Sequence, residues 1–506
     1  MAKVKEIFIS TDAHETRVAV TEDKRLEEFY VERQSDERVV GSIYKGRVTS
    51  VVPGIGAAFV DIGLGKNGFL YVSDIVEPKP EEDAILEGER TRSSRHRQPL
   101  PPHRSSRIEE VVKQGQEILV QVVKEPFGTK GARLTTHLSL PGRYMVLMCN
   151  DARLGISKRI EASEERSRLR ELLNELRFSD EAGLIVRTAG QGKDQKALAR
   201  DVRYLSGLHQ RIKRTSVRAK PPVCVYQEYV LSQRVIRDSF TEDVQRVVVD
   251  GKMEFQRIRK FLQTLIPGIR VHVDRYSGTQ PLFEKEELDE QIAALFDKRV
   301  QLPSGGSIVI EPTEGLVAID VNTAKFTGRR NLEETAFQVD KEAAVEVARQ
   351  LRLRDIGGIV VIDFIDLDVS AHRRELVNIL EQALDRDRAK TNLVSFSEIC
   401  VAELTRQRMR RSFETVSYQS CPYCGGRGTV KSVVTVAIDA IRQAKRALKN
   451  TRGKTLELFV HPQVAVQLLQ KDRTSLTELE GQSRSKILVL SDPSLHLEEV
   501  KIQSTG

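Results

Sequence analysis

The chain has 506 residues, 40% of them hydrophobic and 30% charged, with a formal net charge of +8. That length predicts several domains, and the composition is that of an ordinary soluble protein. The sequence has no apolar run of about 18 residues, so no transmembrane helix is expected; a strand-like Ile7-Phe8-Ile9 follows a short polar start, so no secretory signal is expected. Five cysteines are too few for a disulfide scaffold, and a reducing cytoplasm is the simplest setting. Six arginines and no acid lie between Arg90 and Arg107. This stretch accounts for most of the net charge, so the basic balance alone says little about nucleic acid. With Pro99, Pro101 and Pro102 and a single aliphatic residue, Leu100, it reads as a disordered loop, 90–107, either a solvated insertion or an auxiliary RNA-contacting arm.

In chain order, residues 41–140 predict a small barrel. Strand candidates are Ile43 to Val48, Ala57 to Gly63, Gly68 to Val72, Ile118 to Val123 and Leu134 to Thr136, with glycines at the junctions. Their spacing resembles the S1 type of OB-fold, which presents aromatic side chains for base stacking. Phe59 and Phe69 are the candidate platform and Lys130 is the cation near the backbone path; burial of either Phe in the barrel core is the alternative.

Residues 141–300 mix helices and strands. Glu164 to Leu176 carries an amphipathic helix pattern, and Leu184 to Gly190 reads as a buried strand entering a glycine turn. Gly190-Gln191-Gly192-Lys193 fails as a phosphate loop, having Arg187 and Asp194 where that motif needs Gly and Ser or Thr. The Arg187-Thr188 pair at a strand end can still hold one phosphate through guanidinium and hydroxyl donors.

Leu316 to Asn322 is an apolar strand turning polar at its end, with Asp320 and Asn322 on one face. A helix from Asn331, with Glu334 three residues on, carries an apolar stripe of Leu332, Ala336, Val339, Ala343, Val347 and Leu351. Ile359 to Asp363 is a second buried strand. A βαβ unit follows, with parallel strands, and it puts Asp320 and Asp363 at the carboxyl ends where open α/β sheets hold their sites. Adjacent aspartates repel unless a cation sits between them, and Mg²⁺ is the usual one. The alternative is a loop cap and an arginine pair; Asp366 and Asp368 compete for the role.

Cys421-Pro422-Tyr423-Cys424-Gly425-Gly426 is a zinc-knuckle half-site. Structural Zn²⁺ needs four ligands, and Cys149, Cys224 and Cys400 read as isolated buried thiols, so a two-fold homodimer is expected to supply two cysteines from each chain. A redox Cys-X-X-Cys, or completion by His461, is the rival. Beyond residue 433, a helix from Ala437 to Leu448 and strands at Leu456 to Val460 and Lys486 to Leu490 predict a small α/β domain.

Together these residues resemble the ribonuclease E/ribonuclease G family. The most specific parts are Ala318-Ile319-Asp320-Val321-Asn322, Arg349 to Asp355 with Val361 to Asp366, and Cys421-Pro422-Tyr423-Cys424. The length is like that of the ribonuclease G branch. The resemblance implies an α/β multidomain protein. A ribonuclease H-like subdomain comes from 1–40 plus 233–296, with the S1 barrel (41–140) inserted. A 5′-sensor region (141–232), a DNase I-like catalytic subdomain (297–417), a zinc link (418–432) and a small domain (433–506) follow. It implies a cytoplasmic Mg²⁺-dependent endoribonuclease cutting single-stranded, AU-rich RNA to 5′-phosphate and 3′-hydroxyl ends, in ribosomal RNA processing and messenger RNA decay. Asp320 and Asp363 would hold Mg²⁺ and Asn322 would orient the attack. Arg187 and Thr188 would grip a 5′-monophosphate, with Val146 lining the pocket. Lys390 stands where a second sensor arginine is expected; it keeps the charge and loses the bidentate fork. The implied partners are RNA and a second copy of the chain, as dimer or tetramer. A non-catalytic RNA-binding scaffold built on the barrel is the alternative function.

Overall fold

The computed structural model describes residues 4–33, 39–76, 84–86, 107–126, 130–176, 182–241, 243–265, 271–323, 332–408, 418–419, 421–449 and 455–505. Residues 90–106 of the basic loop and Asn331 lie outside them. The chain divides into two units, Met1–Met409 and Arg410–Gly506.

Among the described residues, the first unit holds four sheets. One has the spatial order His272–Arg275, Val244–Val249, Lys5–Thr11, Glu15–Glu22, Arg25–Arg33, so the start of the chain pairs with strands far along it. Lys5–Thr11 is parallel to Val244–Val249. Between these two strands in sequence lies the predicted barrel. Ile43–Val52 pairs with both Ala57–Asp61 and Glu117–Lys124, and Gly68–Tyr71 and Arg133–Thr135 complete the wall. Its strands approach closely: a Cβ on Gly46 would sit 2.6 Å from Val60 Cγ1, which only glycine avoids. The third sheet orders Ser139–Pro141, Met145–Met148, Gly183–Val186, Gly155–Ser157 and Ala84–Leu86. The helices Ser163–Leu176 and Gln195–Arg218 pack on its apolar face through Leu169, Leu173, Leu198 and Leu205.

The fourth sheet orders Arg299–Gln301, Ser307–Pro312, Leu316–Asn322, Gly358–Asp363, Val401–Arg406 and Thr391–Phe396. Leu316–Asn322 and Gly358–Asp363 are parallel neighbours joined by the helix Leu332–Leu353, the expected βαβ unit. Side chains alternate along a strand. Ile319, Val321, Val360 and Ile362 therefore bury against Ala336, Val339, Ala343, Val347 and Leu351 of the helix, while Asp320 and Asp363 point to the other, exposed face. Arg349 and Arg352, at the end of this helix, clamp the edge of the first sheet. Arg349 Nε donates to Leu26 O at 2.9 Å and Arg352 Nη2 to Glu27 Oε2 at 2.7 Å. Arg354 is fully buried, donating to Gln350 Oε1 at 2.7 Å and Asp297 O at 2.8 Å. The arginine-rich motif is thus structural, its charges satisfied by carboxylates and carbonyls as burial demands.

The second unit is a three-stranded sheet, Lys486–Ser491, Thr455–Val460, Val500–Thr505, with the helices Val433–Leu448, Pro462–Gln470 and Arg473–Ser483. Val436, Ala437, Ala440 and Ala444 bury the first helix against Leu456, Leu458 and Val460. Among the described residues, no helix is long and apolar enough to cross a membrane.

Candidate active site and nucleic-acid interface

Asp320 and Asp363 are register partners on adjacent parallel strands, and both are exposed. Parallel strands lie about 4.8 Å apart, so the two carboxylates stand within reach of a single cation. Asn322, two residues along the same face, donates from Nδ2 to Asp320 Oδ2 at 2.6 Å. Among the described residues, no group of three or more His, Cys, Asp or Glu side chains could hold one metal ion. The pair still fits a hard divalent cation, because Mg²⁺ is commonly held by one or two carboxylates with water and phosphate oxygens completing its shell. Asp366 and Asp368, the competing candidates, lie beyond the strand, which ends at Asp363.

The turn after Asp363 is fastened from three sides. The Phe364 amide donates to Cys400 O at 3.1 Å, the Ile365 amide to Asp340 Oδ1 at 3.1 Å and the Val369 amide to Glu333 Oε1 at 2.8 Å. Arg373 Nη1 donates to Leu367 O. Sequence reasoning missed Asp340, which is completely buried, its Oδ2 without a hydrogen-bond partner among the described residues. A signal was available: Asp340 falls in the apolar stripe, four residues after Ala336. Burial pushes its carboxyl up to about 7, offset in part by the Ile365 amide and reinforced by the Asp366 charge. The folded state therefore disfavours ionisation that the unfolded chain permits. The stability this group contributes is complete below about pH 4 and is lost as pH rises through about 7. Asp340→Asn keeps an acceptor for the amide and cannot ionise. It is expected to match the parent near pH 4 and exceed it by up to about 4 kcal/mol above pH 7. Urea unfolding at pH 5 and pH 8 checks this; an advantage that shrinks as pH rises would contradict it.

In the barrel, Phe59 and Phe69 are cross-strand partners, half-buried and edge-on with centroids 5.3 Å apart. Tyr71, missed by sequence reasoning although it lies two residues from Phe69 on the same face, extends the row at 4.4 Å. Arg133 lies 5.3 Å from the Tyr71 ring centre and is gripped by Asp74 at 2.9 Å. Neither Phe is in the buried core, so the row offers π-faces beside a cation, as base stacking requires. Lys130 is exposed.

The strand Gly183–Val186 stops four residues short of Gly190, to which the sequence pattern extended it, and Thr188–Gly190 is a single 3₁₀ turn. Arg187 Nη1 donates to Gly142 O at 2.7 Å and to Asp238 Oδ1 at 2.8 Å. Burial would raise the Asp238 carboxyl, but the Arg187 and Arg237 guanidiniums hold it well below the usual carboxylate range. This anchoring fixes the Arg187 fork. The Thr188 hydroxyl lies 3.1 Å from Ser157 Oγ. Val146 is buried beside Ile185 and Met148. Lys390 is exposed, and its segment is tied toward the same region by Arg159, which donates to Asp387 O at 3.0 Å and to Ala389 O.

In the second unit the Gly428 amide donates to Cys424 Sγ at 3.3 Å. That amide first, then those of Gly426 and Arg427 and the Cys421 side chain, lower the Cys424 thiol from its ordinary value. A lowered thiol surrounded by amide donors suits a thiophilic cation such as Zn²⁺. His461, the rival ligand, accepts from the Gln463 amide at its own helix start, at 3.3 Å. Cys149 and Cys400 are buried as expected, and burial raises Cys149 to about 12. Cys224 is exposed, which corrects the expectation: its short strand Val223–Tyr226 lies at a sheet edge.

Comparison with known proteins defines the class. The ribonuclease E/G family matches residues 139–409, the S1 RNA binding domain residues 39–136, and the RNase E/G thioredoxin-like domain residues 420–505. Ribonuclease G of Escherichia coli K12 is 38% identical over 497 residues, 98% of this chain and 99% of the relative. Ribonuclease G of Haemophilus influenzae is 39% identical over 93% of each chain. Ribonuclease E of Escherichia coli K12 is 36% identical over 94% of this chain and 44% of the relative. The chain belongs to the ribonuclease E/G family. It is an endoribonuclease with an S1 barrel, and the scaffold alternative falls away.

Proposed function

We propose that the protein is a Mg²⁺-dependent endoribonuclease acting on single-stranded, AU-rich RNA, stimulated by a 5′-monophosphate, in ribosomal RNA processing and messenger RNA decay. The observation that carries this reading is the in-register pair Asp320 and Asp363, with Asn322 bonded to the first. Mg²⁺, when bound, supplies positive charge to the scissile phosphate. Asp320 and Asp363 hold the cation. Asn322 gives one Nδ2–H to Asp320, and its Oδ1 is an acceptor that orients the attacking water. The water oxygen forms the new bond to phosphorus, the bond from phosphorus to the 3′ oxygen breaks, and the water proton passes through solvent to that oxygen. The products carry 5′-phosphate and 3′-hydroxyl ends.

The five-stranded sheet made from both 5–33 and 244–275 supports the ribonuclease H-like reading, and the six-stranded sheet with its helices on one face supports the DNase I-like one. A homodimer joined by zinc at Cys421 and Cys424, with a tetramer as a further state, and a cytoplasmic setting complete the proposal.

The anchored Arg187 fork with Thr188 supports the 5′-sensor, with Val146 and Lys390 beside it. One assay tests these readings. The parent is expected to cleave a 5′-monophosphorylated AU-rich strand faster than its 5′-hydroxyl form, and EDTA is expected to stop both. Arg187→Ala is expected to erase the difference and leave the slower rate, because the phosphate that the guanidinium would grip is remote from the reacting bond. Equal rates for the parent would remove the sensor; cleavage undiminished in EDTA would remove the metal.

A further inference from the structure

The helix Gln195–Arg218 follows the segment that carries Arg187 and Thr188, and its far end meets the barrel. Lys45 of the barrel donates to Ala219 O at 2.9 Å, and the strand Val223–Tyr226 pairs with Ile43–Val52. Its buried face holds Leu198, Val202, Leu205 and Ile212. Its exposed face presents Lys196, Arg200, Arg203, Arg211, Arg214 and Arg218. These positions recur every three or four residues, apart from one gap at Gly207, so they form one stripe about 33 Å long at 1.5 Å per residue.

The helix contains one acid, Asp201, and it is turned inward. Asp201 is buried and accepts from the amides of Arg143, Tyr144 and Met145 at 2.8–3.2 Å. Among the described residues, no carboxylate pairs with Arg203, Arg211, Arg214 or Arg218. Surface helices usually intersperse both signs, and like charges three or four residues apart destabilise a helix. A one-sign stripe is held against its own repulsion and fits a polyanion.

We propose that this stripe is a track for the RNA phosphate backbone, running between the 5′-sensor segment and the S1 barrel. It gives the enzyme sequence-independent grip on RNA outside the cleavage centre. The proposal rests on RNA being the substrate and adds a binding surface to that reading. Arginine suits this use, because its fork engages phosphate oxygens two at a time.

The test measures binding of a labelled 5′-hydroxyl single strand of about 20 nucleotides to the full chain in EDTA. The triple change R203E/R211E/R214E touches only exposed side chains, and is expected to weaken binding at least about tenfold near 0.1 M salt. It should also flatten the slope of log affinity against log salt by about 2, at roughly 0.7 per lost phosphate contact. R203Q/R211Q/R214Q, which removes charge without adding repulsion, is expected to weaken binding less and to keep the parent's melting temperature. K445E/R446E/K449E on the second unit makes the same change in net charge without touching the stripe, and is expected to leave binding within about twofold. Triples with parent-like affinity and slope would overturn the track. So would an equal loss in the control triple, which would mean only net charge matters. Loss of binding to anionic phosphatidylglycerol vesicles with RNA binding intact would assign the stripe to lipid and overturn it as well. A parent that binds no RNA would instead overturn the functional reading beneath it.

Discussion

Asp320→Ala and Asp363→Ala are each expected to abolish cleavage while leaving RNA binding in place. The two carboxylates are neighbours in a parallel register and share the exposed face of their sheet. On the proposed reading, each change would remove one of the two carboxylates that hold the cation and with it charge stabilisation at the phosphate. The expected loss is about 4 kcal/mol or more, roughly a thousandfold in rate. Neither side chain lies in the core, so thermal stability should hardly move. Asp368→Ala is expected to retain near-parent rates, because Asp368 lies within the fastened turn and has left the strand. Single-turnover cleavage of one labelled substrate by the three variants, with binding measured in EDTA, checks the assignment. An Asp363→Ala enzyme with near-normal Mg²⁺-dependent rates would place the cation elsewhere.

The proposed zinc link carries the second large effect. Cys421→Ser or Cys424→Ser is expected to convert dimer to monomer, because at a two-fold site each change removes two of four ligands. Zinc is expected at one ion per two chains in the parent. Structural zinc contributes on the order of 10 kcal/mol, more than a surface contact could replace. Sedimentation with metal analysis reads both quantities. One zinc per chain, or a dimer that survives chelation, would show a site closed within one subunit. The Cys424 sulfur already accepts from the Gly428 amide, so the variants are expected to keep the fold of the second unit and lose only association.

Much of this was legible in the sequence for identifiable reasons. The βαβ unit was readable because both strands are apolar to their last residues and the helix keeps one stripe, so period and polarity agree. The barrel was readable from short apolar strand segments with glycines at their junctions. Asp340 was not, because a lone acid inside an apolar stripe looks like an interruption until the Ile365 amide is seen against it. Asp238 was hidden more deeply: it meets Arg187 across 51 positions, and no local pattern announces a partner so distant. Cys224 was misjudged because apolar neighbours in sequence do not reveal that a strand lies at a sheet edge. The basic stripe on Gln195–Arg218 was visible in the residues, but only the burial of Asp201 shows that its exposed face has one sign.

The first sheet has a consequence for how the protein is made. Lys5–Thr11 leaves the ribosome with its hairpin partner Glu15–Glu22 close behind, but its other neighbour, Val244–Val249, is more than two hundred residues away. At roughly 5–20 residues per second, that strand is synthesised tens of seconds later. Throughout that interval the nascent hairpin presents one unsatisfied edge, a template for wrong pairings. The barrel is translated in between and can close on itself, since Ile43–Val52 meets Glu117–Lys124 within its own stretch. Biogenesis therefore proceeds inside out. The inserted module matures first, the host sheet is sealed around it later, and chains stalled between these events carry an assembled RNA-binding barrel on an unfinished enzyme.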